Sequence, residues 1–275
     1  MQHQNLFIFD IETIPDSESA LNLLGNDSKD LKSIRQNLID YHLKITDGKN
    51  SFLRQPFHKV VAISFLEANI ARDFNGCEYY EINDIRSGGK DTSTEEEIIK
   101  GFFQHIKKKT PRLVSFNGKN FDLPVLKYRA MRYDIDAGFL YKMGDKWNNY
   151  NHKYSLDWHC DLADAFSDFG ASSRIKMNEV CACLNLPGKT GIDGSMVQDY
   201  FDDNRIAEIR NYCETDVINT FLLYLSYQLH NGSMQKDAFN KNRESLAKIL
   251  ENNKENKSHF KEFLEEWKKV DPRII

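Results

Sequence analysis

Leu6-Phe7-Ile8-Phe9 is a short, unbroken apolar run that ends directly on Asp10, with Glu12 two residues further on. A run of this kind, rich in strand formers and without polar alternation, reads as a strand buried on both faces. Strand side chains alternate in direction, so Asp10 and Glu12 project to the same side. The chain must therefore bury this strand and still deliver two carboxylates at its end. Like charges placed together repel unless water solvates both or a cation lies between them.

The rest of the chain supplies partners for that strand. Val60 to Leu66 reads as a second strand, Glu78 to Ile82 as a third, Leu113 to Phe116 as a fourth and Leu156 to Leu162 as a fifth. Residues 83–93, with Ser87, Gly88 and Gly89, read as a loop. Thr94 and Glu97 form a capping box for a helix whose apolar stripe is Ile98, Ile99, Phe102, Phe103 and Ile106. Further helices are predicted from about Phe121 to Tyr133 and over 162–169, 176–184 and 205–229. Strands come early and helices late, which suggests one α/β domain with a mixed sheet. The short link between the second and third strands suits antiparallel pairing. Residues 16–50 are polar, with helical spacing at Leu31, Ile34, Leu38 and Ile39, and read as a helical insertion. The main domain is expected over 1–230. A helical C-terminal extension is expected over 231–275, amphipathic through Phe239, Leu246, Ile249 and Leu250 and again through Phe260, Phe263, Leu264 and Trp267.

Composition excludes several classes. Lys plus Arg number 37 and Asp plus Glu 41, for a net charge of −4, so the chain does not coat nucleic acid by bulk charge. Any such binding must be local, in a groove or through metal ions. No apolar run approaches the roughly 18 residues of a membrane span. The N-terminal apolar run is too short for a secretory signal, and the 5 scattered cysteines do not suggest a disulfide framework, so a cytoplasmic protein is expected. Cys181-x-Cys183 lacks metal-site spacing, and buried helix cysteines are expected instead. Gly188-Lys189-Thr190 lacks the upstream glycine of a phosphate-binding loop, since position 183 is Cys.

Two further segments place acids beside the core. Asn117-Gly118-Lys119-Asn120-Phe121-Asp122-Leu123-Pro124 spans a strand-to-helix crossing, where α/β folds build sites. Asp122 there is either a helix-capping acid or a site residue. Tyr212 and Asp216 stand at i and i+4 on one face of a helix that its neighbours mark as largely buried. A surface Tyr–Asp pair is the plain reading; a buried phenol and carboxylate need a reason. Asp10, Glu12, Asp122 and Asp216 can converge, and four acids around one point require divalent metal. Oxygen ligands suit Mg²⁺ or Mn²⁺. Two such ions serve phosphodiester cleavage by in-line displacement.

The ordered set Phe9-Asp10-Ile11-Glu12-Thr13, Ser115 to Leu126, and Tyr212-Cys213-Glu214-Thr215-Asp216-Val217 resembles the DEDD-superfamily 3′–5′ exonucleases. The similarity is greatest to bacterial predicted exonucleases related to the proofreading domain of family B DNA polymerases, and it spans roughly residues 5 to 230. His159 to Leu162 and Leu186 to Lys189 also look like that group. Tyr212 lies four residues before Asp216, and position 211 is Asn rather than His, so the chain resembles the tyrosine (DEDDy) subtype.

The resemblance implies a ribonuclease H-like fold, a mixed five-stranded sheet flanked by helices. It implies a metal-dependent exonuclease that releases nucleoside 5′-monophosphates from DNA 3′ ends with two Mg²⁺ or Mn²⁺ ions. Asp10, Glu12 and Asp216 would hold the first ion, Asp10 would bridge to the second, and Asp122 would support the second. Tyr212 would orient the attacking water, since a phenol with a pKa near 10 is a poor base at neutral pH. Asn117 and Phe121 would hold the terminal nucleotide, with Ile11 and Thr13 lining the cleft. Apart from the resemblance, Lys189 is read either as a contact to a backbone phosphate or as a solvated loop lysine. The partner is expected to be single-stranded DNA at its 3′ end, in repair or end trimming, with the C-terminal helices packing on the body or on a protein partner and no membrane involved. An exoribonuclease on the same acids, and a non-catalytic nucleic-acid-binding module, are the alternatives.

Overall fold

The structure is a computed structural model that describes residues 3–25, 30–188 and 194–272. The elements run β1 (Asn5–Pro15), α1 (Ser17–Leu24), α2 (Leu31–Ile45), β2 (His58–Arg72), β3 (Glu78–Ser87), α3 (Glu95–Lys109), β4 (Arg112–Ser115), α4 (Asp122–Arg132), α5 (Phe139–Lys142), β5 (His159–Asp161), α6 (Leu162–Phe166), α7 (Met177–Cys183), α8 (Val197–Asp202), α9 (Ile206–His230), α10 (Lys236–Asn253) and α11 (Ser258–Val270). The five strands form one sheet in the order β3-β2-β1-β4-β5. β1 pairs antiparallel with β2 and parallel with β4; β2–β3 is antiparallel and β4–β5 parallel. The mixed α/β architecture expected from the sequence is the one found.

β1 is central, and its two faces feed two cores. Phe7, Phe9 and Ile11 pack with Phe102, Phe103, Leu123 and Leu126 of α3 and α4. Leu6 and Ile8 point the other way and pack with Val217, Ile218 and Phe221 of α9. Each large apolar side chain so buried contributes about 1.5–3 kcal/mol. Every residue of α9 from Tyr212 to Leu225 is buried, because the sheet covers one flank and α10 and α11 cover others. The apolar residues of the C-terminal helices, including Phe239, Leu246, Phe263 and Trp267, join the same core.

Three local expectations need correction. Asp10 is not at a strand end; β1 continues through Glu12 to Pro15 against the long β2. Strand β3 extends to Ser87, into the segment read as a loop, because Ser64 of β2 still pairs Ser87 there. Strand β5 shrinks to His159–Asp161, since Tyr154 to Trp158 is taken up by a turn. The Thr94–Glu97 capping box forms as read. Polar residues 16–50 do hold helices, α1 and α2, each N-capped by an aspartate.

Candidate functional site

The even face of β1 reads Leu6, Ile8, Asp10, Glu12, Ile14. α9 crosses this face in the opposite sense. Its Val217 and Phe221 meet Leu6 and Ile8, and its Ile209, Tyr212 and Cys213 meet Ile14. Residues 212–216 are thus laid over Asp10 and Glu12. The pairing register shifts between Glu12 and Thr13, where β2 carries Val61 as an extra residue. Bulges of this kind re-aim side chains and are frequent beside sites.

The result is a cleft of about 570 Å³ whose walls include Asp10, Glu12, Asn117, Arg174, Tyr212 and Asp216. Glu12, Tyr212 and Asp216 are buried and Asp10 is half-buried. One ligand atom each from Asp10, Glu12 and Cys213 lies within 4.8 Å of the others. The Cys213 thiol sits 3.6 Å from Asp10 Oδ2. Burial, then the charges of Asp10 and Glu12, push that thiol well above its ordinary range, so it stays protonated.

Asp122 enters from the opposite side of β1. It is the first residue of α4, after Phe121, and no side chain caps that helix start. Its Oδ1 instead accepts the Ile11 amide at 3.2 Å. Burial, then the Asp10 carboxylate, drive the Asp122 carboxyl well above the usual carboxylate range. That shift is the signature of two acids held together in a poorly solvated place.

The loop before α4 is a built device. Asn117 is left-handed at φ 68, a conformation asparagine tolerates. At Gly118 an added Cβ would fall 2.4 Å from Ser115 Oγ, so only glycine fits. Asp161 clamps the loop by accepting the Asn117 amide at 2.8 Å and the Lys119 amide at 2.8 Å, while also capping α6 through Ala163 at 3.0 Å. Arg174 reaches in to Asn117 Oδ1 at 3.3 Å.

Residues 50–267 match the model of a family described as predicted 3′–5′ exonucleases related to the exonuclease domain of PolB. The chain belongs to this family. The match leaves β1, with Asp10 and Glu12, on its N-terminal side. The catalytic subunits A of DNA polymerase epsilon from Emericella nidulans and Aspergillus fumigatus are each 27% identical over 139 residues, covering 48% of this chain and 6% of theirs. The chain thus spans a small part of those relatives. A family B DNA polymerase from the hyperthermophilic archaeon Pyrobaculum calidifontis aligns over 90% of this chain and 29% of its own, at 16% identity and a TM-score of 0.43.

Against the expectations for a PolB-related exonuclease, the cleft gathers Asp10, Ile11, Glu12, Asn117, Tyr212 and Asp216, with Asp122 bonded to Ile11 behind them. Thr13 and Phe121 lie to one side. Thr13 Oγ1 bonds His58 Nδ1 at 2.9 Å, and the Phe121 ring meets His58 edge-on at 4.8 Å and Phe52 at 5.3 Å. Lys189 lies outside the described residues. Sequence reasoning missed Cys213, although it stands three residues before Asp216 on the same helix face. Asp161 caps α6, as an acid at a helix start suggests, but no spacing rule announces its further hold on the Asn117 and Lys119 amides; sequence reasoning also passed over Arg174, which sits in an aperiodic polar stretch. Among the described residues no helix is long and apolar enough to cross a membrane.

Proposed function

We propose that the cleft is a two-metal 3′–5′ exonuclease site that releases nucleoside 5′-monophosphates from DNA 3′ ends. The observation that carries the reading is the convergence of Asp10 and Glu12 of β1 with residues 212–216 of α9 and with Asp122. The donor set fits hard divalent ions. Its acids supply oxygen ligands, which Mg²⁺ and Mn²⁺ prefer to the Cys213 sulfur beside them. Asp10, Glu12 and Asp216 would hold one ion, with Asp10 and Asp122 serving a second. Ions of that kind lower the pKa of water and neutralise charge on a phosphodiester during in-line displacement.

The chain's own groups do the rest. Tyr212, on the cleft wall one helical turn before Asp216, orients the attacking water through its hydroxyl. Asn117 of the clamped loop and Arg174, which reaches it from the segment before α7, face the substrate, where a guanidinium suits a phosphate. Ile11 provides apolar cleft wall. Thr13 and Phe121 extend the surface beside it for the terminal nucleotide, and Lys189 would meet the backbone. The same acids would serve RNA, and the substrate sugar is read by cleft contacts.

Asp10→Ala and Asp216→Ala each remove a carboxylate without touching the apolar core. Both should abolish metal-dependent mononucleotide release, by roughly 10³-fold or more, with the folded state retained in circular dichroism. Full activity in both variants overturns the assignment.

A further inference from the structure

Outside the cleft, the segment between α5 and β5 carries large rings that the fold leaves in water. Trp147 is 63% exposed and Tyr154 61%. Neither hangs on a loose loop. Asp145 accepts the Trp147 amide at 2.7 Å and the Asn148 amide at 2.8 Å, and Gly144 approaches Asn148 so closely that no Cβ fits. The rings continue in steps. Trp147 meets His152 at 5.7 Å, His152 meets Tyr154 at 5.8 Å, and Tyr154 meets Phe169 at 4.8 Å. Phe169 is held there by two consecutive left-handed non-glycine residues, Asp168 at φ 47 and Phe169 at φ 57, an arrangement that costs energy and persists only when imposed.

Cations accompany the rings and lead toward the cleft. Lys146 Nζ lies 4.8 Å from the Trp147 centroid and Lys153 Nζ 5.8 Å from that of Tyr154. Lys153 Nζ donates to the Phe169 carbonyl at 3.3 Å, and Lys119 Nζ donates to the Lys153 carbonyl at 2.8 Å. Lys119 belongs to the clamped loop that presents Asn117 to the cleft. Of the nearby acids, Asp145 is used by its turn, Asp157 pairs with Arg112 while staying largely exposed, Asp161 and Asp164 face Lys119, and Asp168 is exposed. Trp147 and Tyr154 also flank a depression of about 480 Å³. Ser155 lines it, buried, and its Oγ has no hydrogen-bond partner among the described residues. A space of this size between aromatic rings accommodates a nucleobase.

We propose that Trp147, Tyr154 and Phe169, flanked by Lys119, Lys146 and Lys153, form a second binding surface for single-stranded DNA, which grips the strand upstream of the 3′ nucleotide in the cleft. It rests on the exonuclease reading for its orientation and on its own geometry for its chemistry. The rings meet one another edge-on, and exposed rings with cations beside them offer faces on which unpaired bases of any sequence stack, whereas a duplex offers no free base faces. The surface makes the enzyme favour long single strands over short ones.

The test uses the full chain and the exposed double variant Trp147→Ala/Tyr154→Ala. Fluorescence anisotropy with a labelled single strand of about 20 nucleotides should show affinity reduced roughly 10-fold or more. Duplex of the same length should bind weakly to both proteins. In turnover, KM for the long strand should rise while kcat/KM for a dinucleotide stays parental. Trp147→Phe/Tyr154→Phe, which keeps two rings, should restore binding. Parental affinity in the alanine variant overturns the proposal, as does equal loss on the dinucleotide or a preference for duplex. A single RNA strand bound far more tightly than DNA overturns the assignment to DNA. A parent that binds the strand through these rings but cleaves nothing contradicts the exonuclease reading and leaves this surface standing.

Discussion

The amide of Ile11, in the middle of β1, donates to Oδ1 of Asp122 at 3.2 Å across 111 positions of sequence. The contact fixes the first turn of α4 against the strand that carries Asp10 and Glu12. It also brings the Asp122 carboxylate close enough to Asp10 to add to the upward push that burial already gives it.

Asp122→Asn separates these two roles. The amide oxygen still accepts from Ile11, so the helix stays docked, while the buried charge disappears. In protein stripped of divalent ions, Tm should equal or exceed that of the parent, because an uncompensated buried carboxylate is costly. Exonuclease rate should fall by about 10²-fold or more. Thermal melts in EDTA, paired with a mononucleotide-release assay, check both halves. A parental rate removes Asp122 from the machinery.

Asp161 acts by holding backbone. It accepts the amides of Asn117, Lys119 and Ala163. Asp161→Ala leaves three donors without their charged acceptor, and hydrogen bonds to charged groups contribute about 1.5–3 kcal/mol each. Burial already opposes the Asp161 charge and offsets part of that sum, so urea unfolding should show a loss of roughly 3 kcal/mol or more, and the rate should fall with the loop's geometry. An unchanged midpoint contradicts the clamp.

A pH effect follows from Glu214, in the third motif. It is buried and accepts from Ser87, Lys257 and His259, at 2.9, 2.8 and 2.9 Å. Burial alone would raise its carboxyl, but His259 and Lys257 outweigh burial and hold it below the usual range. A lowered folded-state value means stabilisation that is full above the ordinary glutamate pKa and is lost as pH falls through the folded value. Tm of the parent should therefore drop through that acid window. Lys257→Ala/His259→Ala should start lower at neutral pH and lose less on acidification. Parallel Tm curves for the two proteins contradict the linkage.

The sequence exposed the parts of this site that obey a period. Alternation put Asp10 and Glu12 on one face, and helical spacing put Tyr212 and Asp216 on another, so their convergence was readable once α9 was seen to be buried. Thr94 and Glu97 announced a helix start because capping is local. What stayed hidden depends on tertiary contact. The length of β1 is set by β2, whose pairing carries the strand past Asp10. The partner of Asp122 lies 111 residues away. The clamp at Asp161 is made of backbone amides, which leave no mark in side-chain patterns. Nor does any sequence pattern show that turn chemistry and a left-handed Phe169 hold the rings of Trp147 and Tyr154 outward.

The central claim is tested most directly by incubating the parent protein with one single strand of DNA labelled at its 3′ end in one sample and its 5′ end in another, with Mg²⁺, Mn²⁺ or EDTA. The 3′ label should appear first as a mononucleotide, and the 5′-labelled strand should shorten stepwise. Both changes should require the divalent ion and stop in EDTA. Early release of the 5′ label, internal cuts, or equal cleavage in EDTA would contradict the two-metal 3′–5′ exonuclease site.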